Sequence, residues 1–220
     1  MIALGIPHAP WVIARRASLV RLLAELAPLC PADTVSRLFA EREGNKKWSA
    51  RMWAWGAASG ADFFLTLQDD VIVPWCFWPA LAAMLVHLPD RAVLGLANLH
   101  TEAPDLARMG WPWVPTISYV VGWAYGMRTA DLREFVRWTK KNPRHVRALH
   151  EDQLVNRWVK DTGRATWHPI PTIAQHDLSL ESTYGNDAQP VRWSTETWER
   201  YTALELTSPD FWRHVERKRA

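Results

Sequence analysis

Cysteine is scarce in this chain: Cys30 and Cys76 are the only two in 220 residues. Two cysteines give no disulfide framework, and here they form no Cys-x-x-Cys metal or redox motif. The composition therefore points to a reducing, cytoplasmic setting. Long apolar runs are lacking too. None approaches the ~18 residues that a membrane-spanning helix requires, so no membrane partner is expected. The first residues, MIALGIPHAPWVIARR, carry no basic leader and are broken by Pro7 and Pro10, which does not read as a secretory signal. Charge of one sign is not in large excess: the net charge is +3. Such a balance is compatible with a phosphate-bearing ligand or with nucleic acid and requires neither. No internal repeat or low-complexity tract is visible.

Tryptophan, by contrast, is abundant, with 15 in the chain. Large aromatics mostly supply core mass, but indoles also stack on sugar rings and nucleobases. Hydrophobic residues make up 48% and charged residues 22%, an ordinary balance for a globular protein. A chain of this length buries roughly 70% of its unfolded surface and needs no staples.

Periodicity gives an alternating α/β order. Residues 2–6 read as a short buried strand stopped by Pro7. Residues 16–27 read as a helix, with Leu19, Leu22, Leu23 and Leu26 at helical spacing. EREGNKK (41–47) is a polar loop, and a second helix runs over 48–59 with Trp48, Met52 and Trp55 on one face and Gly60 as its cap. Residues 63–67 form a continuous apolar strand of the kind buried on both faces of a parallel sheet. Pro74 and Pro79 bracket a turn before a helix over 80–88, and 92–96 is another strand. Residues 100–116 read as an irregular flap. Residues 117–127 read as a strand pair or bent strand, with Gly122 and Gly126 as breakers. Helices follow over 130–140 and 151–162, then a strand over 165–170, and a last helix capped by Ser208 with Pro209 in its first turn.

Three polar motifs punctuate this order. Gln68-Asp69-Asp70 ends the buried strand over 63–67, where adjacent carboxylates must be compensated. A divalent cation held by a carboxylate and substrate phosphates would do so, and so would the cap and turn bonds that Asp favours. His150-Glu151-Asp152 opens a helix. Its carboxylates suit the helix dipole, or one of them acts as a general base. Gln175-His176-Asp177 follows the last strand, and His176 is either a structural histidine or a metal ligand.

Taken in order, LQDDV, VGWAYGM, HEDQLVNRW and PTIAQHD resemble the motifs of a GT-A type glycosyltransferase over about residues 1–185. The resemblance implies a Rossmann-like α/β fold, a mixed, mostly parallel sheet flanked by helices, with 186–220 as a C-terminal helical extension. It implies a nucleotide-sugar donor such as a UDP-sugar, and Mn²⁺ or Mg²⁺ held by Asp70 and His176. Donor contacts fall to Pro7 and His8 at the exit of the first strand, to Lys46 and Lys47, and to Gln68 and Asp69. Asp152 becomes the base of an inverting transfer. Trp111, Trp113, Gly122, Trp123 and Glu151 line the sugar or acceptor. The chain departs from the pattern at Gln68, which stands where the first acidic residue usually is.

For the acceptor, compact size, basic character and tryptophan content resemble phage enzymes that glycosylate a hydroxymethylated pyrimidine in DNA. Lys140, Lys141, Arg144 and Arg147 form a basic segment just before Asp152. A saccharide acceptor competes with that reading. So do a metal-dependent phosphoryl hydrolase using Asp69, Asp70 and Asp152, and a non-catalytic carbohydrate- or nucleic-acid-binding module.

Overall fold

The first strand, β1 (Ile2–His8), runs two residues beyond its predicted end and contains Pro7. It pairs with β2 (Thr34–Ala40) along its whole length, but with β3 (Phe63–Leu67) only as far as Gly5. Beyond Gly5 the strand has a neighbour on one side, so a residue without an N–H is tolerated there. A computed structural model describes residues 1–40, 47–98, 100, 102–116, 121–177, 179–180 and 197–213. The predicted loop at 41–47 therefore lies outside the described residues except for Lys47, and Lys46 lies outside them.

Between β1 and β2 runs α1 (Ile13–Leu26), three residues longer at its start than the leucine spacing predicts. Its buried face is Arg15, Ser18, Leu19, Leu22 and Leu26, a continuous stripe at helical spacing. α2 (Lys47–Ala58) buries Trp48, Met52 and Trp53, and Gly60 beyond it takes the left-handed backbone (φ +77°) expected of a helix cap. β3 is buried throughout, as its apolar run predicts. After β4 (Val71–Ile72), α3 (Phe77–Leu85) begins three residues before its predicted start. Pro79 sits in its first turn, where the N–H has no helical partner to lose.

β5 (Val93–Gly95) and α4 (Ala103–Arg108) precede β6 (Trp113–Thr116), so the segment read as an irregular flap holds a helix and a strand. β7 (Ala124–Arg128) contains Gly126 rather than ending at it. A Cβ there would stand 2.5 Å from the Phe63 ring and 2.8 Å from the Phe64 carbonyl. This glycine thus permits close strand approach and breaks nothing. α5 (Thr129–Lys141), α6 (Pro143–Ala148), α7 (Glu151–Asp161), β8 (Thr166–Pro169) and β9 (Gln175–His176) follow.

The seven-stranded sheet has the order β2-β1-β3-β7-β5-β8-β6, and β4 pairs with β9 in a separate two-stranded sheet. β1, β2, β3, β5 and β8 share one direction, while β7 and β6 oppose it. The result is a mixed, mostly parallel, Rossmann-like sheet. Alternation along β3 fixes its two faces. Phe63, Leu65 and Leu67 pack with residues of α1 and α3, and Phe64 packs with residues of α2, α5 and α7. Near the C-terminus, α8 (Ala203–Thr207) and the turn Pro209–Trp212 pack onto the α1/α3 face through Leu206 and Trp212. Of the predicted final helix, the described residues form a 3-10 turn with Ser208 before it, and 214–220 lie outside them.

Candidate active site

β1 is followed in sequence by β2 on one side of it in the sheet, and then by β3 on the other. The carboxyl ends of β1 and β3 therefore flank a topological switch point, the crevice where open α/β sheets bind ligands. Gln68, Asp69 and Asp70 leave β3 at that edge. The Gln68 N–H donates to the Trp123 carbonyl at 2.9 Å, and the Asp69 N–H donates to the Pro7 carbonyl at 3.1 Å. The short sheet then brings a distant motif in. Val71 of β4 pairs with His176 of β9, and the Asp177 N–H donates to the Asp70 carbonyl at 2.8 Å. The sequence motifs at 68–70 and 175–177 are thus neighbours.

Asp69 and Asp70 have no solvent exposure, and what compensates them is Arg15 of α1, itself 3% exposed. Its two terminal nitrogens part, Nη2 to Asp69 Oδ1 and Nη1 to Asp70 Oδ2. Asp69 Oδ2 also accepts the Ala9 N–H at 2.9 Å, and Asp70 Oδ2 lies 2.7 Å from His176 Nε2. Asp70 Oδ1 is buried and accepts no hydrogen bond among the described residues. His8 sits within the same field. Burial lowers its pKa first, the Arg15 and Arg16 charges lower it further, and Asp69 opposes them.

These residues, as placed, do not suit a divalent ion held by side chains alone; the expectation for Asp70 and His176 is of an ion completed by donor phosphates. One guanidinium already neutralises both carboxylates, and an ion seated on Asp70 would stand beside that guanidinium, cation against cation. Among the described residues, no three His, Cys, Asp or Glu side chains converge as a metal site.

Gly122, Glu151 and Asp152 lie along the same edge. Gly122 is packed so tightly against the start of α7 that a Cβ would meet Glu151 Oε1 at 3.2 Å and the Asp152 Cβ at 3.3 Å. Asp152 is half-buried, and its Oδ1 accepts the Gln153 N–H at 2.8 Å. The His150 N–H donates to Gln153 Oε1 at 3.0 Å, fixing the helix start. Below it lies Tyr125, whose fully buried hydroxyl accepts the Trp53 indole N–H at 2.8 Å. Burial and then the Glu151 charge push that phenol well above its ordinary pKa, with a smaller push from Asp152. Gly122→Ala is expected to move α7's first turn and cut turnover by roughly tenfold, while stability stays within about 1 kcal/mol. Paired kinetic and urea-unfolding measurements check this, and equal damage to both would mean that Gly122 is merely packed.

The aromatic expectations fare unevenly. Trp123 is nearly buried, its ring 5.7 Å from that of His176. Trp113 is fully buried, its indole N–H donating to the Trp212 carbonyl at 2.7 Å, so it offers no face to a ligand. It also starts β6, four strand positions from β3, or roughly 19 Å at the usual strand spacing. Trp111 is partly exposed in the loop before β6. Closer to the switch point is Trp11, 46% exposed and two residues beyond Ala9. Pro7 and His8 lie at the site, whereas nothing is described of the Lys47 side chain.

Arg15 is the functional residue the motifs did not reveal. Its signal was present: it stands four before Leu19 and seven before Leu22, which puts a cation on the helix's core face.

No family model and no curated protein matches the chain. Among solved structures it is similar to that of mannose-1-phosphate geranyltransferase from Thermus thermophilus. The match is 16% identical over 76% of this chain and 73% of that one, with a TM-score of 0.44, and says nothing of this chain's substrate.

Proposed function

We propose that this protein is a nucleotide-sugar-dependent glycosyltransferase of the GT-A type, with Asp152 as base. The observation that carries the reading is convergence. Gln68, Asp69, Asp70, Gly122, Trp123, Glu151, Asp152 and His176 come from four separate stretches, yet they are linked by contacts along one carboxyl edge of the sheet. That is where the resemblance of their motifs requires them. In the reaction, Asp152 takes the proton of an acceptor hydroxyl. The hydroxyl oxygen bonds to the donor's anomeric carbon from the face opposite the diphosphate, and the carbon–oxygen bond to the nucleoside diphosphate breaks. The anomeric centre is inverted. Trp11, rather than Trp113, is the indole placed to stack on a base or sugar near β1.

The acceptor we propose is a hydroxyl on a polyanion such as hydroxymethylated DNA. The supporting observation is that Lys140, Lys141, Arg144 and Arg147 lie on the last turn of α5 and on α6, largely solvent-facing, just before α7 brings in Asp152. A phosphoryl hydrolase is disfavoured because Arg15 occupies both carboxylates it would need.

The test is a thermal-shift panel of UDP-, GDP-, CDP- and TDP-sugars, followed by transfer of labelled sugar to hydroxymethylpyrimidine DNA, unmodified DNA and neutral saccharides over a salt series. Stabilisation by one nucleotide sugar and transfer to some hydroxyl are expected. Phosphate contacts would make log K fall by about 0.7–0.9 per contact with log salt. Salt-insensitive transfer to a saccharide alone would remove the DNA acceptor and leave the enzyme class. Stabilisation by no nucleotide sugar would remove the class.

A further inference from the structure

We infer that Arg15 is the resident cation of the acidic motif, so that the Asp69–Asp70 edge holds no divalent metal of its own before a donor binds. The inference deepens the glycosyltransferase reading by naming what neutralises the carboxylates of that site, but its test does not depend on turnover.

Two adjacent carboxylates with no solvent exposure cannot both stay ionised unless a positive group reaches them. Besides hydrogen-bond donors, two kinds of positive group suit adjacent carboxylates: a hard cation, or a planar guanidinium that can present separate N–H ends to each. The second is present, and its presence is written into the sequence rather than acquired from solvent. Arg15 occupies a core-facing position of α1, its neighbours along that stripe are Ser18, Leu19 and Leu22, and the helix lies against β1 and β4. The guanidinium is thus held from behind by packing and cannot swing into water without emptying a buried position. The remaining acceptor positions are also taken up. Asp69 Oδ2 accepts the Ala9 N–H at 2.9 Å, and His176 Nε2 sits 2.7 Å from Asp70 Oδ2. Asp69 Oδ1 and Asp70 Oδ2 are ion-paired to Arg15 and Asp69 Oδ2 is hydrogen-bonded, so an ion seated on them would displace the guanidinium or the Ala9 N–H. The one carboxylate oxygen left over, Asp70 Oδ1, accepts no hydrogen bond among the described residues and is a single buried ligand. Without a donor diphosphate, that one carboxylate oxygen leaves Mn²⁺ or Mg²⁺ to find nearly all of its several oxygen ligands in water.

The experiment uses the wild-type chain. Mn²⁺ is titrated with detection of the free ion by electron paramagnetic resonance, while nuclear magnetic resonance follows the His176 imidazole signals, assigned with His176→Ala. The result expected is no site tighter than about 1 mM, the weak end of protein ion sites, and no selective broadening of His176. The thermal midpoint should also be the same in EDTA as in Mn²⁺. A site tighter than that which broadens the His176 ring beyond detection would overturn the inference, since Asp70 lies against that ring. A site that leaves His176 sharp lies elsewhere, and keeps the acidic pair metal-free as proposed. Failure of every nucleotide sugar to stabilise the protein would end the glycosyltransferase reading without touching this result.

Discussion

Replacing Arg15 by methionine is expected to lower the unfolding free energy by about 3–5 kcal/mol, the usual cost of removing one partner from a buried ion pair. Methionine keeps much of the volume and most of the apolar stem, so packing along Ser18, Leu19 and Leu22 is nearly preserved. What is lost is the guanidinium that reaches Asp69 and Asp70, both fully buried. One or both carboxylates must then take up a proton or draw in water. Arg16 is the control. It is exposed, its Nε donates to the Pro10 carbonyl, and Arg16→Met should cost no more than about 0.5 kcal/mol. Urea unfolding of the two variants measures the difference directly. Adding Asp70→Asn to the Arg15→Met background should recover part of the loss, because it removes a charge that no longer has a partner. A loss at Arg15 below about 1 kcal/mol would mean that the pair is solvated or protonated in the folded protein.

Arg15 also shows where reading the sequence stops. β3 was legible because its run of four apolar residues and one threonine, FFLTL, suits a strand buried on both faces. α5 and α7 were legible because their buried residues recur at helical spacing. β2 was not, because it lies at the edge of the sheet and buries only Phe39 along its length, leaving no alternation to detect. β6 was hidden by Pro115 within it and Pro112 before it, which an edge strand tolerates. The adjacency of 68–70 and 175–177 was only implied by the family resemblance. It depends on β4 and β9, a ladder of two residues on each side, too short to carry a periodic signal. Adjacent arginines such as Arg15 and Arg16 ordinarily face solvent. Only extending the stripe of Leu19 and Leu22 backwards by one turn distinguishes the buried arginine from the exposed one. Trp113 erred in the opposite direction: the family resemblance gave it a ligand face, whereas its indole is committed to the distant Trp212.

Asp152→Asn is expected to lower kcat by roughly 10²-fold or more, the usual worth of a general base, with donor affinity nearly unchanged. The substitution is mild for the fold. In the native chain Asp152 Oδ1 accepts the Gln153 N–H at 2.8 Å, and an asparagine carbonyl can accept the same bond. The start of α7 is held independently by the bond from the His150 N–H to Gln153 Oε1. The packing of Gly122 against the Asp152 Cβ is untouched, since the change lies beyond that atom. Only the ability to take a proton is removed. Glu151→Gln is the companion measurement, because Glu151 is the adjacent carboxylate and the larger electrostatic influence on Tyr125. If Asp152→Asn turns over normally and Glu151→Gln does not, the base is Glu151. If both turn over normally, no carboxylate at the start of α7 takes the proton. The stereochemistry of the product is an independent check: a base acting on the acceptor in a single displacement inverts the anomeric centre, so a retained anomer would remove Asp152 from this role even if the rate fell.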